Sequence, residues 1–122
     1  MSVAAFDTAI LVDALHGHAG AAAELKRIRQ RFISRLSWIE VMSLAQPDDA
    51  QRADAFLSHF SVVEISDEIA RSAAQLCGQR TGLSLTNAVI LASAQVAGRI
   101  LITRNTADFP AAMPGIRVPY SL

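Results

Sequence analysis

Lysine occurs once, at Lys26, cysteine once, at Cys77, and histidine three times in a chain of 122 residues. A lone cysteine excludes an intramolecular disulfide framework and a four-thiolate zinc site, and it reads as a small buried hydrophobe. The histidines form no metal signature. His16 and His18 flank the helix-breaking Gly17 and His59 closes a helix, positions that suit surface and capping roles. Neither sign of charge predominates, since 11 basic and 11 acidic residues cancel, so no global field gathers nucleic acid. No apolar run reaches the roughly 18 residues of a membrane span. The N-terminus also lacks the basic-then-apolar order of a secretory signal, so a cytoplasmic location without membrane attachment is expected.

What is present belongs to a globular protein: 52% of residues are apolar and only 18% charged, far from the disordered class. The length suits one core, and no repeat, linker or low-complexity segment divides it, so a single domain over residues 1–122 is expected. Residues 2–6 form a short apolar strand that stops at Asp7-Thr8. Ile10, Leu11, Ala14 and Leu15 then recur at helical spacing. A second helix over 19–29 places Ala22, Leu25 and Ile28 on one face, and residues 32–34 make a brief strand. Ser37 caps the next helix, with Glu40 completing a capping box, and Pro47 stops it. Asp48-Asp49 opens a helix that ends near His59, and residues 61–65 are a strand. Ser66-Asp67 caps a helix through Gln79 with Ile69, Ala73 and Leu76 inward. The nearly all-apolar helix 87–97 is a buried one, closed by Gly98. Residues 99–103 are the clearest strand, and 115–118 form an edge strand before Pro119. This alternation predicts an α/β fold in three layers, a short parallel sheet between helices.

Asp7 and Asp108 follow two of these strands, and Glu40 and Asn87 lie near helix starts. In a parallel fold all four can meet in the crevice beyond the strands' carboxyl ends. Oxygen donors without His or Cys select Mg²⁺ or Mn²⁺ over zinc. Each residue also has a plainer reading: Asp7 as a helix cap, Glu40 as the partner of Ser37, Asp108 as a turn residue. Lys26, Arg27, Arg29 and Arg31 are either the solvated face of a helix or a local attraction for RNA. Trp38 suits a core or rim position better than a base-stacking platform.

Four segments carry a resemblance. The runs Phe6-Asp7-Thr8-Ala9-Ile10-Leu11, Ser37-Trp38-Ile39-Glu40-Val41, Leu83-Ser84-Leu85-Thr86-Asn87-Ala88-Val89-Ile90 and Leu101-Ile102-Thr103-Arg104-Asn105-Thr106-Ala107-Asp108-Phe109 resemble, in order and spacing, the successive motifs of VapC-type PIN domains. That resemblance implies a three-layer PIN-like domain and a Mg²⁺-dependent endoribonuclease, Mn²⁺ serving as well, often acting on transfer or ribosomal RNA. It implies that Asp7 is a metal ligand and that Glu40 binds metal or orients the attacking water. Asn87 stands where the family has a third, metal-coordinating acid. Asn105 occupies the acid-or-asparagine position of the last motif, Asp108 lies in its closing Asp-Phe pair, and Thr8 and Thr103 line the site. The partners implied are a VapB-type antitoxin, operator DNA reached only through that antitoxin, and a second copy in a homodimer.

Two positions depart from the pattern. Ala9 replaces a frequent asparagine without removing charge. Asn87 does remove one, and two unit charges about 4 Å apart are worth about 4 kcal/mol at an effective dielectric of about 20. Asn87 therefore opens a rival reading, a catalytically weakened PIN domain that binds the antitoxin as a co-repressor. A receiver-like phosphoacceptor domain is excluded by layout, since no lysine follows a late strand.

Overall fold

The structure, a computed structural model, describes residues 3–122; Ser2, expected in the first strand, lies outside the described residues. Five strands, β1 (Val3–Phe6), β2 (Gln30–Ser34), β3 (Ser61–Val63), β4 (Leu101–Ile102) and β5 (Ile116–Arg117), form one parallel sheet in the order β3-β2-β1-β4-β5. The chain steps outward from β1 through β2 to β3, then returns to the other side of β1 for β4. The strand order thus reverses between β1 and β4, where open parallel sheets leave a crevice beyond their carboxyl ends.

Six helices cover the two faces: α1 (Thr8–Leu15), α2 (Ala19–Arg27), α3 (Arg35–Leu44), α4 (Ala50–Leu57), α5 (Asp67–Gln79) and α6 (Leu85–Val96). Alternation along the strands decides which residue meets which layer. Ala4, Phe6, Ile33 and Ile102 pack with Ile10, Leu11, Leu25, Val41 and Leu57 on one face. Ala5 and Leu101 meet Ile90, Leu91, Ala94 and Phe109 on the other. The expected α/β architecture with a short parallel sheet is the one observed.

Helix α6 is buried as its composition predicts. Ala88 through Ala94 are all buried, because Leu91 and Ala94 face the sheet while Ala88, Val89 and Ala92 face Ile69 and Ala73 of α5. Gly98 ends the segment at φ 67°, a left-handed conformation that costs glycine little.

Local readings fail where a tertiary partner intervenes. The cap of α3 is Ser34, not Ser37: Ser34 has extended backbone at the end of β2 and its hydroxyl accepts the Leu36 N–H at 3.1 Å. Ser37 is fully buried inside the helix, and Glu40 sits in its middle. At α2, Leu25 and Ile28 turn inward as expected, but Ala22 is exposed and Ala21 and Glu24 are buried with them instead. The reason is an acid: buried Glu24 accepts from Arg27 at 2.9 and 3.0 Å and from Arg117 of β5, which turns the helix toward the sheet edge. The basic cluster loses Arg27 to that pair, and Arg31 donates to the Ile28 carbonyl at 2.9 Å. The cluster runs from the end of α2 into the first residues of β2, so it lies at the opposite end of the sheet from the crevice. The expected β4 shortens from residues 99–103 to Leu101–Ile102, the span its neighbours pair.

Glu24 makes stability depend on pH. Hydrogen bonds from Arg117 hold its carboxyl below the usual carboxylate range, burial opposing and Arg27 assisting. A carboxyl lowered in the folded state contributes fully above its ordinary pKa, and the contribution is lost as pH falls through the lowered value. Glu24→Gln should cost about 1–3 kcal/mol at neutral pH. Denaturant midpoints of the two proteins should converge as the pH is lowered from neutral to below the ordinary carboxylate range; a constant gap would assign Glu24 a packing role alone.

Candidate active site

The crevice beyond β1 and β4 is lined by Asp7, Thr8, Ala9, Val12, Glu40, Leu44, Asn87, Arg104 and Asn105. Asp7 lies where β1 gives way to α1. Its extended backbone makes it the cap of α1, one carboxylate oxygen accepting the Thr8 N–H at 2.8 Å. The other oxygen accepts the hydroxyl of Thr103, the residue after β4, at 2.7 Å. That hydroxyl in turn accepts the Asn105 N–H at 3.0 Å. Asp7 is 4% exposed, and burial pushes its carboxyl above the usual range. The Thr103 and Thr8 hydrogen bonds oppose that rise, Glu40 adds to it and Arg104 offsets it.

Glu40 reaches the same crevice from α3. Its Oε1 accepts the Thr8 hydroxyl at 2.6 Å. A hydroxyl has one proton, so the Ser37 hydroxyl, 3.0 Å away, serves as donor to the Thr8 oxygen. Thr8 and buried Ser37 thereby hold Glu40, which is the use the structure makes of the serine that looked like a cap. The Oε2 of Glu40 has no hydrogen-bond partner among the described residues.

Asn87 occupies the first turn of α6, where Ser84 accepts its backbone N–H at 3.1 Å. Its amide donates to the Asp108 carboxylate at 2.5 Å. Asp108 is thereby drawn behind Asn87 and does not line the crevice. The loop carrying Asp108 is fixed from three directions: its N–H donates to Asn105 Oδ1 at 3.3 Å, Arg80 donates to its carbonyl, and the neighbouring Phe109 is fully buried. Of the sequence candidates, Asp7, Glu40, Asn87 and Asn105 share the crevice, with Thr8 beside Asp7 and Thr103 bonded to it; Asp108 touches it only through Asn87. Arg104 lines it too, and composition offered no signal for that beyond its place after the strand-end threonine.

Among the described residues no three His, Cys, Asp or Glu side chains group to hold a metal ion. The crevice offers instead the Asp7 and Glu40 carboxylates and the Asn87 and Asn105 amides. This all-oxygen set fits Mg²⁺, which is commonly held by one or two carboxylates with waters and substrate phosphates filling its shell. His16 and His59 lie outside it, and His18 caps α2 by accepting the Ala21 N–H at 3.1 Å. Trp38 packs against the core, with Arg35 over its ring at 5.1 Å.

A model of the PIN domain family matches residues 4–112. A chain of a toxin–antitoxin complex from Klebsiella pneumoniae superposes with a TM-score of 0.90 at 40% identity, over 98% of this chain and 100% of that one. The DNA-bound VapBC of Salmonella typhimurium gives a TM-score of 0.78 at 20% identity over 96% of both chains. FitAcB of Neisseria gonorrhoeae gives 0.79 at 17% identity over 98% and 100%. The last two likenesses concern fold alone. A search of curated proteins gives no match. The chain belongs to the PIN domain family, and the VapC-type resemblance of its four motifs stands.

Asn87→Asp should replace the hydrogen bond to Asp108 with a repulsion that only a cation or proton relieves. The variant should melt below the wild type in EDTA and gain more from Mg²⁺; saturation at about 100 times Kd is worth about 2.7 kcal/mol. Thermal melts with and without Mg²⁺ decide it, and an identical Mg²⁺ response in both proteins would remove position 87 from the cation's surroundings.

Proposed function

We propose that this chain is a Mg²⁺-dependent endoribonuclease, Mn²⁺ serving as well, and the toxin of a type II VapBC-type toxin–antitoxin system: one PIN domain over residues 1–122. The observation that carries the reading is the meeting of Asp7, Glu40, Asn87 and Asn105 at the strand-order reversal of a PIN-family sheet. Those four residues would hold the ion, which when bound polarises a phosphodiester oxygen and acidifies water. The chain's own groups do the rest. Thr103 and Thr8 lock the Asp7 carboxylate in one orientation. Thr8 holds one oxygen of Glu40 and leaves the other to accept a proton from attacking water, the geometry a general base needs. Asp108 keeps Asn87 oriented through its amide.

The partner in this reading is a VapB-type antitoxin, through which alone the toxin meets operator DNA. Its support is a second groove between α1, α3 and α4, floored by Val12, Leu15, Val41 and Ala53 and rimmed by His16, Leu44, Asp49 and Arg52. Val12 and Leu44 belong to both groove and crevice, so a helix seated in the groove could continue as an extended segment with a basic side chain among the acids. Exposed Ile39, Ile65 and Leu85 are apolar surface for a second copy in a homodimer. Among the described residues no helix is long and apolar enough to cross a membrane, in keeping with work on RNA in the cytoplasm.

Asn87 favours one alternative, a catalytically impaired domain that serves its antitoxin as co-repressor. Cleavage of a mixed RNA pool, transfer and ribosomal RNA included, separates the two. With Mg²⁺ or Mn²⁺, wild type should cleave, EDTA and Asp7→Ala should abolish cleavage, and Asn87→Asp should raise it about tenfold or more, since removing one charge-stabilising group commonly costs about 10²–10³ in rate. Folded protein inert on every RNA, with Asn87→Asp equally inert, would leave the co-repressor reading.

The groove makes a separate prediction. Arg52, exposed on its rim and outside the crevice, should when changed to Glu weaken co-purification of the operon's antitoxin while leaving RNA cleavage within about twofold, since a surface change away from the chemistry alters stability by only about 0.5 kcal/mol. Undiminished co-purification would place the antitoxin elsewhere.

A further inference from the structure

Arg104 is the one basic residue among those lining the crevice, and the chain goes to unusual lengths to hold it. Its Nε and Nη2 donate to the two oxygens of Asp13 at 2.6 and 3.1 Å. Asp13 is 9% exposed and also accepts the Tyr120 hydroxyl at 2.7 Å. Tyr120, from the tail after β5, stacks on His18 with ring centroids 4.4 Å apart and planes 26° from parallel. Gly20 leaves room for that stack: a Cβ there would lie 2.9 Å from the His18 ring and 3.1 Å from the Tyr120 ring. Side chains from α1, the α1–α2 turn and the tail therefore converge to fix one guanidinium.

Two facts argue that the cation is fixed for a ligand. Of its five N–H groups, those on Nη1 have no hydrogen-bond partner among the described residues, and the side chain keeps 31% of its exposure. The crevice also needs a cation that stays. A phosphodiester approaching Asp7 and Glu40 meets like charge, the chain as a whole is neutral, and the other basic cluster sits at the far end of the sheet. Arginine held side-on by a carboxylate presents a planar edge that bonds a phosphate oxygen, which lysine cannot match.

Resting on the ribonuclease reading above, we propose that Arg104 binds a backbone phosphate of the RNA in the crevice, and that Asp13 and Tyr120 are positioning residues that orient its guanidinium. The rival account is an ion pair that only ties the tail to α1. Arg104→Gln alone would leave Asp13 buried and unpaired, so the decisive form is the double variant Asp13→Asn with Arg104→Gln, whose net charge equals that of the wild type.

The test is steady-state cleavage of a mixed single-stranded RNA pool by the full chain in Mg²⁺, as a function of salt, with melting points recorded in parallel. The double variant should raise KM about tenfold with kcat held within about threefold. The slope of log kcat/KM against log salt should shrink by about 0.7, the signature of one lost phosphate contact on a single strand. Tyr120→Phe, which keeps every charge, should raise KM about threefold without changing that slope, and Arg104→Lys should keep the slope without restoring KM. An unchanged KM and salt slope in the double variant, whatever its melting point, would overturn the proposal and leave the ribonuclease reading intact. Folded wild-type protein that cleaves no RNA would instead bring down the ribonuclease reading, and the phosphate role with it.

Discussion

The site depends on a carboxylate buried at the join of two strands. Asp7 follows β1, Thr103 follows β4, and parallel pairing of these strands brings the threonine hydroxyl onto the acid. A carboxylate taken out of water must be hydrogen-bonded or compensated by a cation. Here both oxygens are hydrogen-bonded, one through the first turn of α1 and one across the sheet. Burial still prevails in the balance and raises the carboxyl above its ordinary range. A buried acid poised in this way gains from a nearby positive charge. That gain gives physical content to a cation in this crevice without appeal to any relative.

The same electrostatics explain how the chain accommodates an amide at position 87. With Asn87, the neighbouring Asp108 has a donor to accept from, and the pair satisfies itself. A carboxylate there would have repelled Asp108 and demanded a counter-ion. The substitution therefore relieves the unliganded fold of one repulsion and makes the crevice less acidic. Arg104, which also lines the crevice, acts in the same direction, although Asp13 neutralises much of its field at close range. The crevice is a mixed-charge site with two carboxylates at its centre, and this sets it apart from a bare ring of acids.

The two buried acids outside the crevice follow one pattern: each is tied to an element distant in sequence. Glu24 binds Arg117 across 93 positions and Asp13 binds Arg104 across 91. Both pairs fasten the segment after α6 to the helices near the N-terminus, Arg117 from the two-residue edge strand β5 and Arg104 from the loop after β4. Breaking one partner of such a pair leaves a buried charge uncompensated, which is costlier than losing an exposed ion pair. Arg71 with Asp67, both largely exposed on one helix, is the contrasting case and contributes little.

The amino-acid sequence by itself determined the α/β/α order, the burial of α6 and the strand-to-helix placement of Asp7. Each is a local consequence of hydrophobic period, a capping residue or a glycine at positive φ, and needs no distant partner. Tertiary structure alone decided which serine caps α3, that Glu24 joins the inward face of α2, whether Asp108 lines the crevice, and that Arg104 belongs to it. Those outcomes are set by side-chain pairs between segments that meet only once strand register is fixed. Ser37 illustrates the limit: its spacing to Glu40 matches a capping box, yet Ser34 takes the cap because β2 ends there, and Ser37 is left to hold Thr8. Periodicity reports which residues leave water, whereas the partner that a buried polar group meets there depends on the whole fold.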